Sequence, residues 1–86
     1  MMIVFHKKFE KQYAKLSPQL QKAVDDRLIL FSGHSAHSQL NDHKLKGKYE
    51  NYRTINITGD YRAVYKIIGS DRVIFVKIGT HSELYC

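Results

Sequence analysis

Apolar residues in the first third of the chain change from a continuous run to the spacing of a helix. Residues 1–5 form a short apolar run rich in strand formers, which predicts a first strand. Apolar positions three or four residues apart then predict a helix over residues 6–16. A second helix is predicted to begin at Pro18, with Ser17 as its cap, and to stop at Gly33. Because the link is so short, the two helices are expected to form an antiparallel hairpin.

The second half of the chain shows the two-residue alternation of strands. Three strand-like segments lie at residues 52–58, 61–68 and 72–78, and turn formers at Gly59-Asp60 and at residues 69–71 separate them. Consecutive strands with tight turns pair antiparallel, and their apolar face needs a cover that the helical hairpin can supply. The sequence therefore predicts a single α+β domain over residues 1–86. Its two layers are an antiparallel four-stranded sheet and an N-terminal α-helical hairpin, in the order β-α-α-β-β-β.

The last residues are predicted to add one helical turn. Thr80 or Ser82 can cap such a turn, which would place His81 and Tyr85 four residues apart on one side. Strand ends that are distant in sequence meet at one end of an antiparallel sheet. A short chain can in this way gather residues around a shallow surface site, since a domain of this size has too small a core for a deep cavity.

The amino-acid composition indicates what kind of partner the protein binds and in which compartment it works. The net charge of +6 with histidine neutral favours a polyanionic partner, such as nucleic acid, an acidic protein or an anionic membrane surface. One cysteine, Cys86, gives neither a disulfide framework nor zinc spacing, and no apolar run is long enough to span a bilayer. These features predict a cytoplasmic protein. His34 and His37 in the polar segment 33–42 lack a third ligand, so no metal site is predicted.

The polar residues around the three strands suit the cleavage of RNA. His43, Asp60 and His81 can exchange protons near neutral pH, and Arg53 and Arg62 can stabilise negative charge on phosphate. Attack of a ribose 2′-OH on its own 3′-phosphate needs a base, an acid and cations, but no metal and no protein nucleophile. Each residue taken alone is also common in ordinary turns and exposed strands, so a small basic domain without catalysis stays open. Further groups can hold phosphates or stack on bases, namely Lys44, Lys46, Lys48, Tyr61 and Tyr85.

Three motifs in a fixed order carry a family resemblance: H-x-L-x-G at residues 43–47, D-Y-R-x-x-Y at 60–65 and G-T-H-x-x-L-[FY] at 79–85. With the segment F-x-K-x-F-E-K-Q-Y at residues 5–13, they cover nearly the whole chain. The chain resembles the RelE/ParE toxin superfamily and, within it, the YafQ-like branch. The resemblance implies a RelE-like fold and the toxin of a type II toxin–antitoxin system. Such toxins are ribosome-dependent mRNA endoribonucleases that inhibit translation, and a cognate antitoxin holds them inactive.

The resemblance also assigns roles to a catalytic set. His43, Asp60 and His81 occupy the acid–base positions of the YafQ-like branch, and Arg62 matches an arginine that acts on the scissile phosphate. Tyr85 lies where that branch has Phe and where RelE proper has a catalytic Tyr. The partners implied are the antitoxin, mRNA and a 70S-type ribosome, with no membrane, no metal and no small-molecule cofactor.

The resemblance extends to the substrate-binding residues, with one departure. Tyr61 lies where the branch often has Trp, and Arg53 falls near a phosphate-contacting lysine of RelE. Asn56 lies where YafQ-like toxins can carry another His, and an amide can donate a hydrogen bond but cannot exchange a proton at neutral pH. The proton transfer that a histidine could perform at this position is therefore lost in this chain or taken over by other residues.

Two other functions stay open on the sequence. ParE-type members of the same fold inhibit DNA gyrase by binding it and lack the acid–base set. Alternatively, the domain is a catalytically inactive module whose basic charge serves only an acidic antitoxin. Whichever function holds, an antitoxin helix or strand is expected to lie over the sheet and the basic groove, displacing substrate or the terminal segment.

Overall fold

The computed structural model describes residues 2–32, 43–45 and 51–85. Within these residues, the strands and helices follow an order close to the predicted one. The strands are β1 (Met2–Phe5), β2 (His43–Lys44), β3 (Tyr52–Asn56), β4 (Tyr61–Ile68) and β5 (Arg72–Thr80), and the helices are α1 (Lys7–Ala14), α2 (Pro18–Ser32) and α3 (His81–Tyr85). The segment 33–42, with His34 and His37, lies outside the described residues, as do Lys46, Lys48 and Cys86.

The strands form one sheet in the order β1-β5-β4-β3-β2. The strands β2 to β5 pair antiparallel, whereas β1 pairs parallel with β5. The α+β class and the helical hairpin are thus confirmed, but the sheet is mixed, and it has five strands where four were predicted. The tight turns fix the directions of β3, β4 and β5. They leave open the direction of β1, because the chain returns to the sheet only after two helices.

Both predicted helices are present, and their caps explain where they begin. The helix α1 is capped by His6, whose Nδ1 accepts a hydrogen bond from the backbone N–H of Lys8 at 3.0 Å. The Ser17 hydroxyl accepts from the N–H of Leu20 at 3.2 Å, which confirms Ser17 as the cap of α2.

The main core lies between this hairpin and one face of the sheet. Phe75 on β5 is fully buried at its centre, with its ring centroid 5.8 Å from that of Phe9, 5.3 Å from that of Phe31 and 5.2 Å from that of Tyr65. These distances are typical of favourable aromatic pairs. Each layer contributes to the cluster, since Phe9 lies on α1, Phe31 on α2 and Tyr65 on β4.

The end of β5 is tied to α1 by a long-range hydrogen bond. Strand β1 pairs with β5 only as far as Phe75. Beyond this point, the backbone N–H of Ile78 donates to Oε1 of Gln12 at 2.7 Å, across 66 residues of sequence. The side chain of Gln12 therefore supplies the acceptor that a longer β1 would have supplied, and it fixes the strand that leads into α3.

The strand boundaries differ from the predicted ones at the turn between β3 and β4. The N–H groups of Ile57 and Thr58 both donate to the carbonyl of Tyr61, at 2.9 and 3.2 Å, and the N–H of Tyr61 donates to the Thr58 hydroxyl at 3.2 Å. These bonds close the turn early, so β3 ends at Asn56 and not at residue 58. Strand β5 continues to Thr80 because Thr80 pairs with Tyr61 at the start of β4.

Candidate active site

Asp60 and His81 flank the same end of the sheet. Tyr61 and Thr80 are directly opposite each other as the last pair between β4 and β5. Asp60 precedes Tyr61 and His81 follows Thr80, so each lies one residue beyond this pair. Both side chains are exposed. The hairpin turn and the start of α3 thus bring a carboxylate and an imidazole to one region of the surface.

Asn56 and Arg62 form the adjacent part of this region. They are directly opposite each other between β3 and β4, and Nη1 of Arg62 donates a hydrogen bond to Oδ1 of Asn56. Both side chains are half-buried. The Nε atom of Arg62 is buried, and among the described residues no acceptor bonds to it. The bonding partner of this guanidinium is therefore a neutral amide and not a carboxylate.

The helix α3 is fixed to the end of β5 by a reciprocal cap. The N–H of Thr80 donates to Oε1 of Glu83 at 2.8 Å, and the N–H of Glu83 donates to the Thr80 hydroxyl at 3.2 Å. This is the capping box, and it identifies Thr80 as the cap that was predicted at either Thr80 or Ser82. His81, the first residue of α3, is therefore held by the bonds on both sides of it.

Three further contacts seat α3 on the sheet. Leu84 is buried with 3% of its surface exposed, and Nζ of Lys77 donates to its carbonyl at 3.2 Å, where a cation suits the helix C-terminus. A Cβ atom at Gly79 would lie 3.1 Å from Oε1 of Glu83 and 3.4 Å from Cδ2 of Leu84. The absence of a side chain at Gly79 lets α3 approach β5 closely.

The helix α3 and Arg62 belong to the same face of the sheet. Along β4, Ala63 and Tyr65 belong to the main core under the helical hairpin. Side chains alternate between the two faces of a strand, so Arg62 and Val64 project to the other face. Gly79 is directly opposite Arg62 on β5, and a Cβ atom there would meet Glu83 and Leu84, so α3 lies over the face to which Arg62 projects.

Two predicted substrate-binding residues lie on the opposite face. Nε of Arg53 donates to the hydroxyl of Tyr65 at 3.1 Å, and Arg53 is directly opposite Tyr65 in the sheet. Tyr61 is half-buried and packs against the main core. The structure therefore separates Arg53 and Tyr61 from Arg62, although all three were predicted to bind the same substrate.

The remaining predicted residues are placed by their backbone. His43 and Lys44 form β2 at the edge of the sheet, opposite Thr54 and Arg53 respectively. Thr54 is two residues from Asn56 along β3, so the backbone of His43 lies near the row of Asn56 and Arg62. Tyr85 is the last residue of α3.

A pocket of about 310 Å³ lies away from this region, between β1 and the helical hairpin. Its walls are apolar and aromatic, with the carboxylates of Glu10 and Asp25 among them. The Tyr13 hydroxyl donates to Asp25 at 2.8 Å, and this hydrogen bond raises the pKa of Tyr13 above its ordinary 10.0. Acidic walls are unfavourable for a polyanion, so the exposed region around Asp60, Arg62 and His81 is the better candidate site for RNA.

Sequence reasoning named Thr80 as one of two possible caps of α3 but missed Glu83, Lys77 and Gly79, although one signal for Glu83 was present. Thr80 and Glu83 match the T-x-x-E spacing of a capping box. The contributions of Lys77 and Gly79 depend on α3 lying against β5, and no local pattern indicates that arrangement. Two further findings concern the described part of the chain: it holds no group of three or more metal-ligating side chains, and none of its helices is long and apolar enough to cross a membrane.

Acid is expected to loosen α3 through Glu83. Hydrogen bonds from Thr80, first its N–H and then its hydroxyl, lower the pKa of Glu83 below its ordinary value of 4.5. The bonds therefore stabilise α3 fully above pH 4.5, and this contribution is lost as the pH falls through the lowered pKa. Amide hydrogen exchange at Thr80 and Glu83, whose N–H groups make the two bonds of the cap, should show reduced protection between pH 6 and pH 3, on the order of the range in which carboxylates titrate, after correction for the intrinsic effect of pH.

Glu83→Gln is the matched control for this effect. Glutamine also serves in capping boxes, but its amide does not titrate in this range. The variant should therefore show no acid-dependent loss of protection in α3. Equal pH dependence in the wild type and in Glu83→Gln would contradict the assignment to Glu83.

The whole chain matches the family model described as the bacterial toxin of type II toxin–antitoxin systems, YafQ, over residues 1–86. The fold and this match define a toxin of a type II toxin–antitoxin system. The chain belongs to the YafQ toxin family. No curated protein matches the chain in sequence.

Solved structures of related toxins share the fold. YafQ from E. coli strain BL21(DE3) is 20% identical with a TM-score of 0.79, and the match covers 98% of this chain and 97% of that chain. A copper-bound mutant toxin from Helicobacter pylori is 28% identical with a TM-score of 0.72, covering 99% of both chains. A chain of the RelB–RelE antitoxin–toxin complex from Methanococcus jannaschii is 25% identical with a TM-score of 0.73, covering 95% of this chain and 94% of that chain.

Proposed function

We propose that this toxin is a ribosome-dependent endoribonuclease that cleaves mRNA by metal-independent acid–base catalysis and thereby inhibits translation. The observation that carries the proposal is the arrangement at one end of the sheet. Asp60 and His81 flank the last pair of β4 and β5. Arg62 lies on the adjacent row, where its guanidinium is hydrogen-bonded to the neutral amide of Asn56. An acid–base pair beside a cation is what phosphodiester cleavage by a 2′-OH requires.

Each residue is given one role in this reaction. His43 or Asp60 removes the proton of the ribose 2′-OH, whose oxygen attacks the adjacent phosphorus. His81 donates a proton to the 5′-oxygen as the P–O5′ bond breaks, and Arg62 stabilises the charge of the phosphorane. Tyr85 positions the base or the phosphate. The products are a 2′,3′-cyclic phosphate and a free 5′-hydroxyl, so the reaction requires only proton transfers and consumes no oxidant or other co-reactant.

The proposed partners are mRNA on a 70S-type ribosome and a cognate antitoxin, all in the cytoplasm. The RelB–RelE complex of Methanococcus jannaschii, whose matching chain has a TM-score of 0.73, supports an antitoxin partner. The net charge of +6 supports polyanionic partners. We place the antitoxin over the sheet and its basic residues, where it would exclude substrate.

The test is primer extension on mRNA bound to purified ribosomes, with His81→Ala and Asp60→Ala compared with the wild type. Each substitution should lower the single-turnover cleavage rate by about 10²–10⁴-fold, as expected for the loss of a proton-transfer group. Cleavage by the wild type should leave a 2′,3′-cyclic phosphate on one fragment and a free 5′-hydroxyl on the other, as attack by the ribose 2′-OH requires.

A histidine that bonds to the middle of β5, six residues before His81, provides the matched control: the N–H of His6 donates to the carbonyl of Phe75 at 2.9 Å. His6 is exposed and caps α1 through its side chain. Because asparagine also caps helices well, His6→Asn should fold normally and cleave at the wild-type rate. Full activity in both His81→Ala and Asp60→Ala would end the proposal. Inhibition of gyrase supercoiling without cleavage would instead favour the ParE-type activity.

A further inference from the structure

We infer that Asn56 is a positioning residue that holds the guanidinium of Arg62 ready for phosphate without neutralising it. The family can carry a histidine at this position, and direct contact with substrate was the role predicted from the sequence. The structure directs the Asn56 side chain to Arg62 instead. The inference rests on the proposed function for its substrate, but the ordering of Arg62 can be tested without it.

The backbone holds the two residues face to face. Asn56 and Arg62 are opposite each other in the last pair of β3 and β4. The turn that follows is closed by two hydrogen bonds to the carbonyl of Tyr61, at 2.9 and 3.2 Å. Directly opposed residues on neighbouring strands have their Cβ atoms about 4.5–5.5 Å apart, so the short side chain of Asn56 can reach the guanidinium.

The neutral charge of the amide is the central point. A carboxylate opposite Arg62 would orient the guanidinium equally well, but it would form an ion pair and compete with phosphate. An amide oxygen accepts a hydrogen bond from Nη1 and leaves the positive charge intact. The fixed fork of the guanidinium, on the row next to the strand ends that carry Asp60 and His81, is then a preorganised donor for developing negative charge.

The buried Nε of Arg62 supports this reading. Among the described residues no acceptor bonds to it, although most buried polar groups in proteins have a partner. A guanidinium held on one side by an amide, with a second donor unsatisfied, is poorly explained as a purely structural bond. An anion bound at the accessible part of this half-buried guanidinium would stabilise its positive charge.

Two substitutions separate orientation from charge. Asn56→Ala removes the acceptor, whereas Asn56→Asp keeps an acceptor of the same size and adds a negative charge. On ribosome-bound mRNA, Asn56→Ala should slow single-turnover cleavage by about 10-fold because Arg62 loses its orientation, as small misplacements near a reacting centre do. Asn56→Asp should slow it by at least about 10²-fold because the cation is neutralised, comparable to loss of a preorganised charge-stabilising donor.

A double-mutant cycle identifies the residue through which Asn56 acts. In an Arg62→Ala background, Asn56→Ala should produce no further loss of cleavage, since there is no guanidinium left to position. An equal loss in both backgrounds would overturn the inference, because it would show that Asn56 contacts substrate by itself or acts elsewhere. Wild-type cleavage rates in both Asn56→Ala and Asn56→Asp would overturn it as well.

A measurement on the free protein keeps the inference separate from the proposed function. The ¹⁵N relaxation of the Arg62 Nε–H group should show an ordered side chain in the wild type and in Asn56→Asp, and a mobile one in Asn56→Ala. An equally ordered Arg62 in Asn56→Ala would refute positioning, whatever the protein cleaves. The expected ordering in a toxin that cleaves no mRNA would refute the proposed function and leave the Asn56–Arg62 pair standing.

Discussion

Replacing Leu84 by alanine is expected to remove most mRNA cleavage while the sheet stays folded. Leu84 is a buried apolar residue of α3, and truncation of such a leucine costs about 2–5 kcal/mol. A five-residue helix has no stability of its own, so α3 should detach from β5. His81 and Tyr85 would then leave the site without being mutated, and cleavage should fall by about 10²-fold or more, as for loss of the acid itself.

The measurement pairs the cleavage assay with hydrogen exchange. The amides of α3 should lose their protection in Leu84→Ala, whereas those of β4 and β5 should keep most of theirs. Leu84 contributes to stability only while α3 is docked on the sheet. If α3 detaches by local opening, the sheet and the helical hairpin stay folded, so the free energy of global unfolding changes little. Leu84→Met conserves volume, should cost less than about 1.5 kcal/mol and should keep most activity. An active Leu84→Ala with an exposed α3 would show that α3 is dispensable for cleavage.

Local patterns in the sequence predicted the elements that depend on neighbours along the chain. Strand β4 has the predicted bounds, Tyr61–Ile68, and Ser17 caps α2 as its position before Pro18 indicated. The parallel pairing of β1 with β5 and the short strand β2 were not predicted. Both depend on where the chain meets the sheet after long excursions, and no periodicity encodes this.

Only the local features of the candidate site were predicted correctly from the sequence. The turn at Asp60 and the helical turn beginning at His81 are local features, and antiparallel pairing brings them to one end. Arg53 and Arg62 were grouped by chemistry, although the alternation of β3 and β4 assigns them to opposite faces. The strand pattern was the better guide here: Arg53 bonds to Tyr65 of the main core, and Arg62 bonds to Asn56.

The hydrogen bond between Gln12 and Ile78 cannot be predicted from local sequence patterns. The two residues are 66 positions apart, and the need for Gln12 arises only because β1 is too short to accompany the whole of β5. The same strand end carries Gly79 and Thr80, which seat α3. The helical hairpin therefore does more than cover the sheet, since one of its side chains fixes the strand from which the proposed acid, His81, follows.

The largest effect on stability is expected from Phe75→Ala. Phe75 has no exposed surface, and truncation of a buried phenylalanine costs about 3–5 kcal/mol. Since small domains are stable by only about 5–15 kcal/mol, this is a large share of the total. At about 4–8 °C per kcal/mol for a domain of this size, the melting temperature should fall by roughly 12–40 °C, as measured by circular dichroism.

Phe5→Ala is the matched control, because Phe5 is opposite Phe75 in the parallel pair but is 38% exposed. Its ring centroid lies 6.2 Å from that of Phe75, so it belongs to the same aromatic group at its margin. Its truncation should cost about 1–2 kcal/mol, since only part of its surface is removed from water. Equal destabilisation by the two substitutions would contradict a core centred on Phe75. That centre matters for the site as well: the sheet that presents Asn56, Arg62 and α3 on one face is held against the helices by Phe75 on the other.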